Sequence, residues 1–425
     1  MKTANAQVQR SPWAWVPSLY YAEGLPYFVV MSTAAVMFKN LGVGNTEIAF
    51  YTSLLGLIWA LKPLWSPLAE MIGTLRGWVW VLQFAMAGAL ALLALGATQV
   101  QFFGFTLVVF TLLAVISASH DIAADGFYLK AQAVHQQAAF IGVRSTFYRA
   151  ANITMQGALL VAFGELMTRL GDAQQAWSWL FWALSGLFAL LAAWHFAMLP
   201  RPMQLRRADV APVREFMQTF ASYFRKPGIA VMLGFLLLYR FPEAQLLALA
   251  KPFLLDKPAT GGLGLSVESL GLAYGTVGVL ALTCGGLLGG WIVSRVGLKR
   301  ALWPMVLAMH LPNLAFVYLA YAQPHDLGLI SVALAVEQFG YGLGFTAYMM
   351  YMVMISRGDH QTAHYAICTG FMALGIGVPG MWSGWLQQQL GYFHFFGWVL
   401  VCTVPSLVMA ALIKIPDNFG KKASA

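Results

Sequence analysis

Long apolar runs repeat along the whole of this 425-residue chain and constrain its fold more than any other feature. A helix needs about 20 mainly apolar residues to span a bilayer, and twelve runs reach that length. Only 10% of the residues are charged, whereas a soluble domain carries about 25%. The sequence therefore predicts an all-α integral membrane protein with twelve transmembrane helices, over residues 13–38, 47–71, 77–98, 102–130, 139–168, 175–199, 228–255, 267–293, 299–321, 326–355, 361–389 and 392–414.

The connections between these runs divide the chain into two halves. The only long connection follows the sixth run, covers residues 200–226, and is polar and basic. We therefore expect two pseudo-symmetric six-helix lobes, residues 1–199 and 227–425, joined by a cytoplasmic basic linker. This layout is typical of a two-lobed transporter in which a small-molecule substrate binds between parallel halves.

The positive residues predict the orientation in the membrane. If both termini are cytoplasmic, 17 of the 25 lysines and arginines fall on the cytoplasmic side, three fall on the opposite side, and five lie within the runs. Cytoplasmic loops of membrane proteins carry an excess of Lys and Arg. This bias predicts cytoplasmic termini, and it explains the net charge of +9 by contact with a membrane, without any nucleic acid partner.

Two carboxylates lie near the end of the fourth run. Asp121 and Asp125 are four residues apart, so they share one face of a helix. Charges at membrane depth are costly and usually face a bundle interior or a water-filled cavity. We predict proton-coupling or gating roles for both residues. A structural ion pair with the nearby Lys130, or an anchor at the helix end, is the alternative.

The fifth run carries the matching basic face. Arg144, Tyr148 and Asn152 follow one another at steps of four, and Arg149 lies beside them. We predict that these four residues bind substrate, since an arginine can hold a substrate carboxylate or Asp121. The alternative for Arg144 is an anchor that extends its charged end to the cytoplasmic surface.

The first and seventh runs each place an acid beside a proline near mid-helix. Glu23 and Glu243 are these pseudo-equivalent acids, and we predict that they take part in proton coupling. Tyr21 and Arg240 lie close to them in sequence and are predicted to bind substrate. Arg240 could instead pair with Glu243, which is three residues later.

Two further charges lie within apolar runs. Apart from Asp326 at its start, the tenth run has Glu337 as its single charged residue, and Tyr341 follows it at a step of four. An acid with aromatic neighbours suits a sugar–peptide ligand, although aromatic stripes also arise from ordinary packing. Lys62 lies in a proline-disturbed part of the second run. It could contact a substrate anion or extend to the membrane surface.

Enzyme, metal and cofactor sites are not indicated. The cysteines Cys284, Cys368 and Cys402 have no spacing typical of a metal site or a disulfide framework. The Asp121–Asp125 pair could be half of a magnesium–pyrophosphate site, but a second Asp-rich cluster is missing. We expect no cofactor, with the proton gradient as the energy source. A membrane-embedded enzyme and a non-transporting sensor remain as alternatives.

The loop after the eighth run resembles the loop signature of the major facilitator superfamily. It reads Gly290-Trp291-Ile292-Val293-Ser294-Arg295-Val296-Gly297-Leu298-Lys299-Arg300, with Ser294 where the family usually has Asp. The loop after the second run is a more degenerate copy, with Glu70 at the acidic position. The resemblance implies the major facilitator fold.

Several stretches resemble the AmpG-type muropeptide permeases, a branch of that superfamily grouped with acetyl-CoA transporters. They are Glu23-Gly24-Leu25-Pro26, Lys62-Pro63-Leu64-Trp65-Ser66-Pro67-Leu68, Arg76-Gly77-Trp78, Ser117-Ala118-Ser119-His120-Asp121-Ile122 with Asp125, and Pro252-Phe253-Leu254-Leu255. The sequence departs from this branch at His120, where Gln is usual, and at Pro242-Glu243, which replaces Gly-Asp.

This resemblance implies a function and a location. It implies proton-driven import of anhydro-muropeptides across a bacterial inner membrane, as part of cell-wall (peptidoglycan) recycling. We expect a monomer that works by alternating access. Another peptide, a sugar conjugate, a siderophore or an acyl-CoA are the alternative substrates.

Overall fold

The computed structural model describes residues 10–43, 45–201 and 212–422. Ten of its helices are long and apolar enough to cross a membrane. The longest, Gln361–Leu412, divides at Gly391, whose φ of 72° and ψ of 165° are not helical. One further apolar helix is shorter. The described residues thus contain twelve spans: α1 Pro12–Asn40, α2 Asn45–Leu61, α3 Leu75–Ala97, α4 Phe102–Ala131, α5 Val134–Leu170, α6 Ala173–Met198, α7 Ile229–Leu255, α8 Gly271–Val296, α9 Leu298–Ala322, α10 Leu327–Ser356, α11 361–390 and α12 392–412.

The second predicted span differs from the observed helix. Helix α2 ends at Leu61, a 3-10 turn covers Lys62–Trp65, and a short helix follows at Leu68–Met71. Pro63 and Pro67 lack the amide hydrogen that a continuous helix needs at these positions. Apolar composition alone therefore overestimated the length of this helix.

The predicted linker contains a helix of its own, Pro212–Phe224. Two of its six basic residues, Arg206 and Arg207, lie outside the described residues.

Helices α8 and α9 are irregular at Gly271–Gly278 and between His310 and Asn313, and three further spans are interrupted. Helix α1 contains Pro26 and continues through a π-helical turn at Val29–Thr33, and α5 contains another such turn at Thr154–Ala158. Helix α7 is broken between Leu238 and Phe241. Such irregular turns inside helices are frequent at functional sites. All three spans carry residues that the sequence singles out as site candidates.

The chain forms two compact units. Unit 1 comprises Met1–Gln132, Thr146–Met217 and His360–Ala366, and unit 2 comprises Ala133–Ser145, Gln218–Asp359 and Ile367–Ala425. Each unit has its own apolar core. Phe110, Trp177 and Phe181 are fully buried in the core of unit 1, and Phe253, Phe316 and Phe396 are fully buried in that of unit 2. The predicted division into lobes 1–199 and 227–425 stays a prediction.

Glycines bring the helices of unit 2 into close contact. A Cβ atom at Gly285 would lie 2.1 Å from the carbonyl oxygen of Phe339, and one at Gly142 would lie 2.4 Å from that of Gly286. Small residues allow membrane helices to approach backbone to backbone. The glycine pattern of α8 therefore serves close packing against α10 and the first part of α5.

We predict that Gly285→Ala destabilises the protein, because the new methyl group meets a backbone atom that cannot rotate away. Overpacking of this kind costs about 1–3 kcal/mol. The matched control is Gly275→Ala in the same helix, where a Cβ meets nothing within 4 Å. Thermal unfolding in detergent tests this, and equal melting temperatures for the two variants would contradict it.

Candidate functional site

Unit 1 gathers buried charges from three helical segments. The ammonium nitrogen of Lys62 lies 3.4 Å from the Oδ2 atom of Asp121, and both side chains are nearly buried. The Tyr20 hydroxyl donates a hydrogen bond of 3.1 Å to Oδ1 of Asp125. Lys62 also interacts electrostatically with Asp125 and with the buried Glu23. One carboxylate therefore contacts this ammonium group, and two more act on it electrostatically.

Local structure explains why these charges meet. Asp121 lies ten residues before the end of α4 at Ala131, which is about 15 Å inside the helix. Lys62 opens the 3-10 turn that Pro63 imposes where α2 ends. A buried carboxylate needs a compensating charge. The structure supplies Lys62 for Asp121, rather than Lys130 or Arg149.

Aromatic rings line the same part of unit 1. Tyr27 packs edge-on against Trp59 with ring centroids 5.0 Å apart, and Phe28 packs against Tyr148 at 5.5 Å. Helix α1 reaches α5 closely here, because a Cβ at Gly24 would lie 2.9 Å from the carbonyl oxygen of Tyr148. Rings and charges therefore share one region of unit 1.

The predicted substrate residues of α5 fall into different units. Tyr148, Arg149 and Asn152 belong to unit 1 and are half-buried, and the Asn152 side chain accepts a hydrogen bond from Gln156. The buried Arg144 belongs to unit 2. The other aromatic candidate of unit 1, Tyr21, donates a hydrogen bond of 3.0 Å to the Thr154 hydroxyl at the π-helical turn of α5.

The second cluster lies at the break in α7, in unit 2. Its helical halves are Ile229–Leu238 and Phe241–Leu255, and Arg240 lies between them. The guanidinium of Arg240 donates a 2.5 Å hydrogen bond to the Tyr341 hydroxyl and lies over the rings of Tyr341 and Phe345. Arg240 makes no direct ion pair with Glu243 among the described residues, although it acts on that carboxyl electrostatically; its guanidinium lies against Tyr341 of α10.

The acids of this cluster are deeply buried. Glu243 is 0% exposed, and neither of its carboxylate oxygens has a hydrogen bond or ion pair within the part of the chain that the structure describes. Glu337 accepts a 2.8 Å hydrogen bond from Gln338 on Oε2, while its Oε1 has no such partner among the described residues. A buried carboxylate in this state is costly unless it is protonated or a ligand meets it.

A third polar group, built on Glu70, was not predicted from the sequence. Oε1 of this buried carboxylate lies 3.0 Å from the Lys130 ammonium and accepts a 2.9 Å hydrogen bond from the backbone amide of Thr362, at the start of α11. The imidazole of His360 lies 3.9 Å from Oε2. Burial raises the pKa of Glu70, but Lys130 and the hydrogen bonds from Thr362 outweigh it and hold the pKa below its usual range.

The chain belongs to the Major Facilitator Superfamily, whose family model matches residues 19–378. It is therefore a multi-pass membrane transporter and not an enzyme. The chain is 25% identical over 423 residues to the "Anhydromuropeptide permease" of Escherichia coli strain K12. The aligned region covers 94% of this chain and 81% of the relative. It is 23% identical over 415 residues to "Putative transporter AmpG 4" of Rickettsia conorii, with 93% and 94% covered. These relatives confirm the resemblance to AmpG-type permeases.

Solved structures confirm the fold. The transporter FucP in its outward conformation matches with a TM-score of 0.73 and 14% identity, over 94% of this chain and 98% of that one. The proton:xylose symporter XylE matches with a TM-score of 0.62 and 12% identity, over 96% of each chain. The predicted all-α major facilitator fold is therefore correct.

We predict that Glu70→Gln destabilises the protein at pH 7 by about 1–2 kcal/mol. The substitution removes the negative charge that accepts from the Thr362 amide and pairs with the partly exposed Lys130. The folded-state pKa of Glu70 lies below the ordinary 4.5. Its stabilisation is therefore complete above that pH and is lost as the pH falls through the lower value. Melting curves of the variant and wild type should differ at pH 7 and converge only as the pH falls below 4.5 and through the lower folded-state pKa.

The matched control for this experiment is Glu165→Gln. Glu165 pairs with Arg169 within one helix, and both side chains are more than half exposed. Exposed pairs contribute little to stability. A loss of stability in the control as large as that in Glu70→Gln would contradict the interpretation.

Proposed function

We propose that this chain is a proton-coupled permease that imports anhydro-muropeptides by alternating access. The observation that carries this proposal is its similarity, over 94% of its length, to a relative named anhydromuropeptide permease. Location in a bacterial inner membrane, with both termini cytoplasmic, is supported by the same relative and by the distribution of Lys and Arg.

The side chains of the two clusters suit a sugar–peptide substrate. Arginine forms strong paired hydrogen bonds with carboxylates, and aromatic rings pack against the apolar faces of sugars. In unit 2 an arginine and two aromatic rings lie in direct contact with one another: Arg240, Tyr341 and Phe345. In unit 1, Tyr148 lies beside Tyr27 and Phe28, and Arg149 follows it in the same helix. We assign the peptide carboxylates to the arginines and the sugar rings to the aromatic side chains.

Two carboxylates are suited to carry protons in different ways. Glu243 has no hydrogen bond or ion pair from any described residue, so burial favours its neutral, protonated form. Asp121 is paired with Lys62, and its protonation would weaken that pair and free the lysine. Proton uptake at these acids would thus change the charges of the clusters during the transport cycle. The proton gradient supplies the energy, and no bound cofactor is required.

The substrate is tested by uptake of labelled GlcNAc-anhydroMurNAc-peptide into proteoliposomes that contain the purified protein. We expect accumulation under an inward proton gradient, collapse of that accumulation on addition of a protonophore, and none in protein-free liposomes. Absence of uptake, together with thermal stabilisation by another peptide, a siderophore or a CoA ester, would retain the transporter and reject the muropeptide.

The coupling residues are tested by Asp121→Asn and Glu243→Gln. We expect both variants to fold and to lose gradient-driven accumulation by at least about tenfold, which corresponds to about 1.4 kcal/mol. Exchange of labelled for unlabelled substrate without a gradient should persist, since it requires no net proton movement. Glu165→Gln, which changes an exposed carboxylate, is the control. Normal proton-driven accumulation by either variant would remove that residue from the coupling mechanism.

A further inference from the structure

The break in α7 leaves backbone carbonyls that need partners. In a continuous helix the carbonyl of Tyr239 would accept from the amide of Glu243, but no backbone amide of the described chain donates to it here. It accepts a 2.9 Å hydrogen bond from the hydroxyl of Ser406 in α12 instead. The carbonyl of Leu236 similarly accepts a 2.7 Å bond from the hydroxyl of Tyr348 in α10. Neighbouring helices thus replace the hydrogen bonds that the break removes, as membrane burial requires.

A buried histidine completes this arrangement. Nε2 of His310, in α9, lies 2.7 Å from the hydroxyl oxygen of Ser406. Because that hydroxyl donates its hydrogen to Tyr239, its oxygen must accept from His310, so the histidine carries its proton on Nε2. Nδ1 of His310 has no partner among the described residues, and a charged ring would leave a buried donor unpaired there. His310 therefore acts as a neutral donor that fixes the direction of the Ser406 hydroxyl.

We infer that Ser406 and His310 are positioning residues for the acid–arginine cluster at the break. Their hydrogen bonds hold the Tyr239 carbonyl away from the Glu243 amide and so keep α7 open. An open helix directs Arg240 onto Tyr341 and leaves Glu243 in the first turn of the second half of α7. Neither residue needs to touch substrate or a transported proton. This inference rests on the proposed role of Glu243 in proton coupling.

Unit 1 contains a comparable chain of hydrogen bonds. The hydroxyl of Ser18 lies 2.9 Å from Nε2 of His195. The other ring nitrogen of His195, Nδ1, lies 2.8 Å from Oε1 of Gln83. The amide nitrogen of Gln83 lies 2.9 Å from Nε2 of His120. An amide oxygen can only accept, so His195 donates from Nδ1 to Gln83. This series of hydrogen bonds ends at His120, the residue before Asp121.

The two series of hydrogen bonds connect corresponding helices of the two halves. Ser18, Gln83 and His195 lie in the first, third and sixth spans, and Tyr239, His310 and Ser406 lie in the seventh, ninth and twelfth. A histidine and a serine hydroxyl take part in both sets, and the set in unit 1 also reaches the fourth span through His120. This recurrence supports a positioning role, because the two sets share their connections and not their sequence.

The test measures the environment of Glu243 directly, without transport. A hydrophobic carbodiimide modifies protonated buried carboxyls, and mass spectrometry of the purified full chain gives the extent of Glu243 labelling at each pH. We expect Ser406→Ala to move the midpoint of this pH curve by at least about 0.5 pH unit. Ser406→Thr, which keeps the hydroxyl, should restore the wild-type curve. Hydrogen–deuterium exchange of the backbone around residues 236–246 should become about fivefold faster in Ser406→Ala.

The matched control is Ser356→Ala. Ser356 is also fully buried in unit 2, and its hydroxyl also donates to a carbonyl, that of Val353 in its own helix. This control should leave the labelling curve of Glu243 unchanged. If Ser406→Ala does not fold, Ser406→Cys, a weaker donor of similar size, takes its place.

The outcomes separate this inference from the proposed function. A wild-type labelling curve and wild-type exchange in a folded Ser406→Ala or His310→Leu protein would overturn the positioning role, whatever the substrate is. An equal shift in Ser356→Ala would also overturn it, because the effect would then be general to buried hydroxyls. Failure of muropeptide uptake in wild type rejects the substrate and leaves the labelling result valid.

Discussion

The cost of a charge buried in a membrane protein organises both candidate sites. Unit 1 meets this cost by pairing, since the Lys62 ammonium lies against Asp121 and within electrostatic reach of Glu23 and Asp125. Unit 2 does not meet it in this way. Its arginine contacts Tyr341, and the Glu243 carboxylate is buried with no hydrogen bond from the described residues. The two halves of a repeated fold thus place their buried acids beside different partners.

Interrupted helices place these charges. Pro63 ends α2 beside Asp121, Pro26 precedes the π-helical turn of α1, and α7 breaks just before Pro242. A helix interruption frees backbone groups, which inside a membrane must find partners in protein or line a cavity. At α7 those partners are the Ser406 and Tyr348 hydroxyls. Irregular backbone and buried charge therefore occur together, as in transporters that bind substrate at broken helices.

Sequence patterns predicted local features well and partners between helices poorly. The apolar runs gave the twelve spans, and α4 and α10 agree with their predicted runs within one residue at each end. Asp121 was expected near Arg149 or Lys130, but its partner is Lys62, 59 positions away. Glu70 meets Thr362 across 292 positions. Helical periodicity shows which residues share a face, but it does not show which helices are neighbours.

Arg240 and Glu243 form no direct ion pair, and the reason is more specific. Residues three apart approach each other only on a continuous helix. Arg240 precedes the second half of α7 and has a φ of −98° and a ψ of 11°, so that geometry does not apply. A proline two residues later was the visible signal, since it removes the amide that would have bonded to the Leu238 carbonyl. At the break Arg240 therefore contacts Tyr341 directly and reaches Glu243 only electrostatically. Local backbone geometry thus determines which partners the charged residues of unit 2 contact.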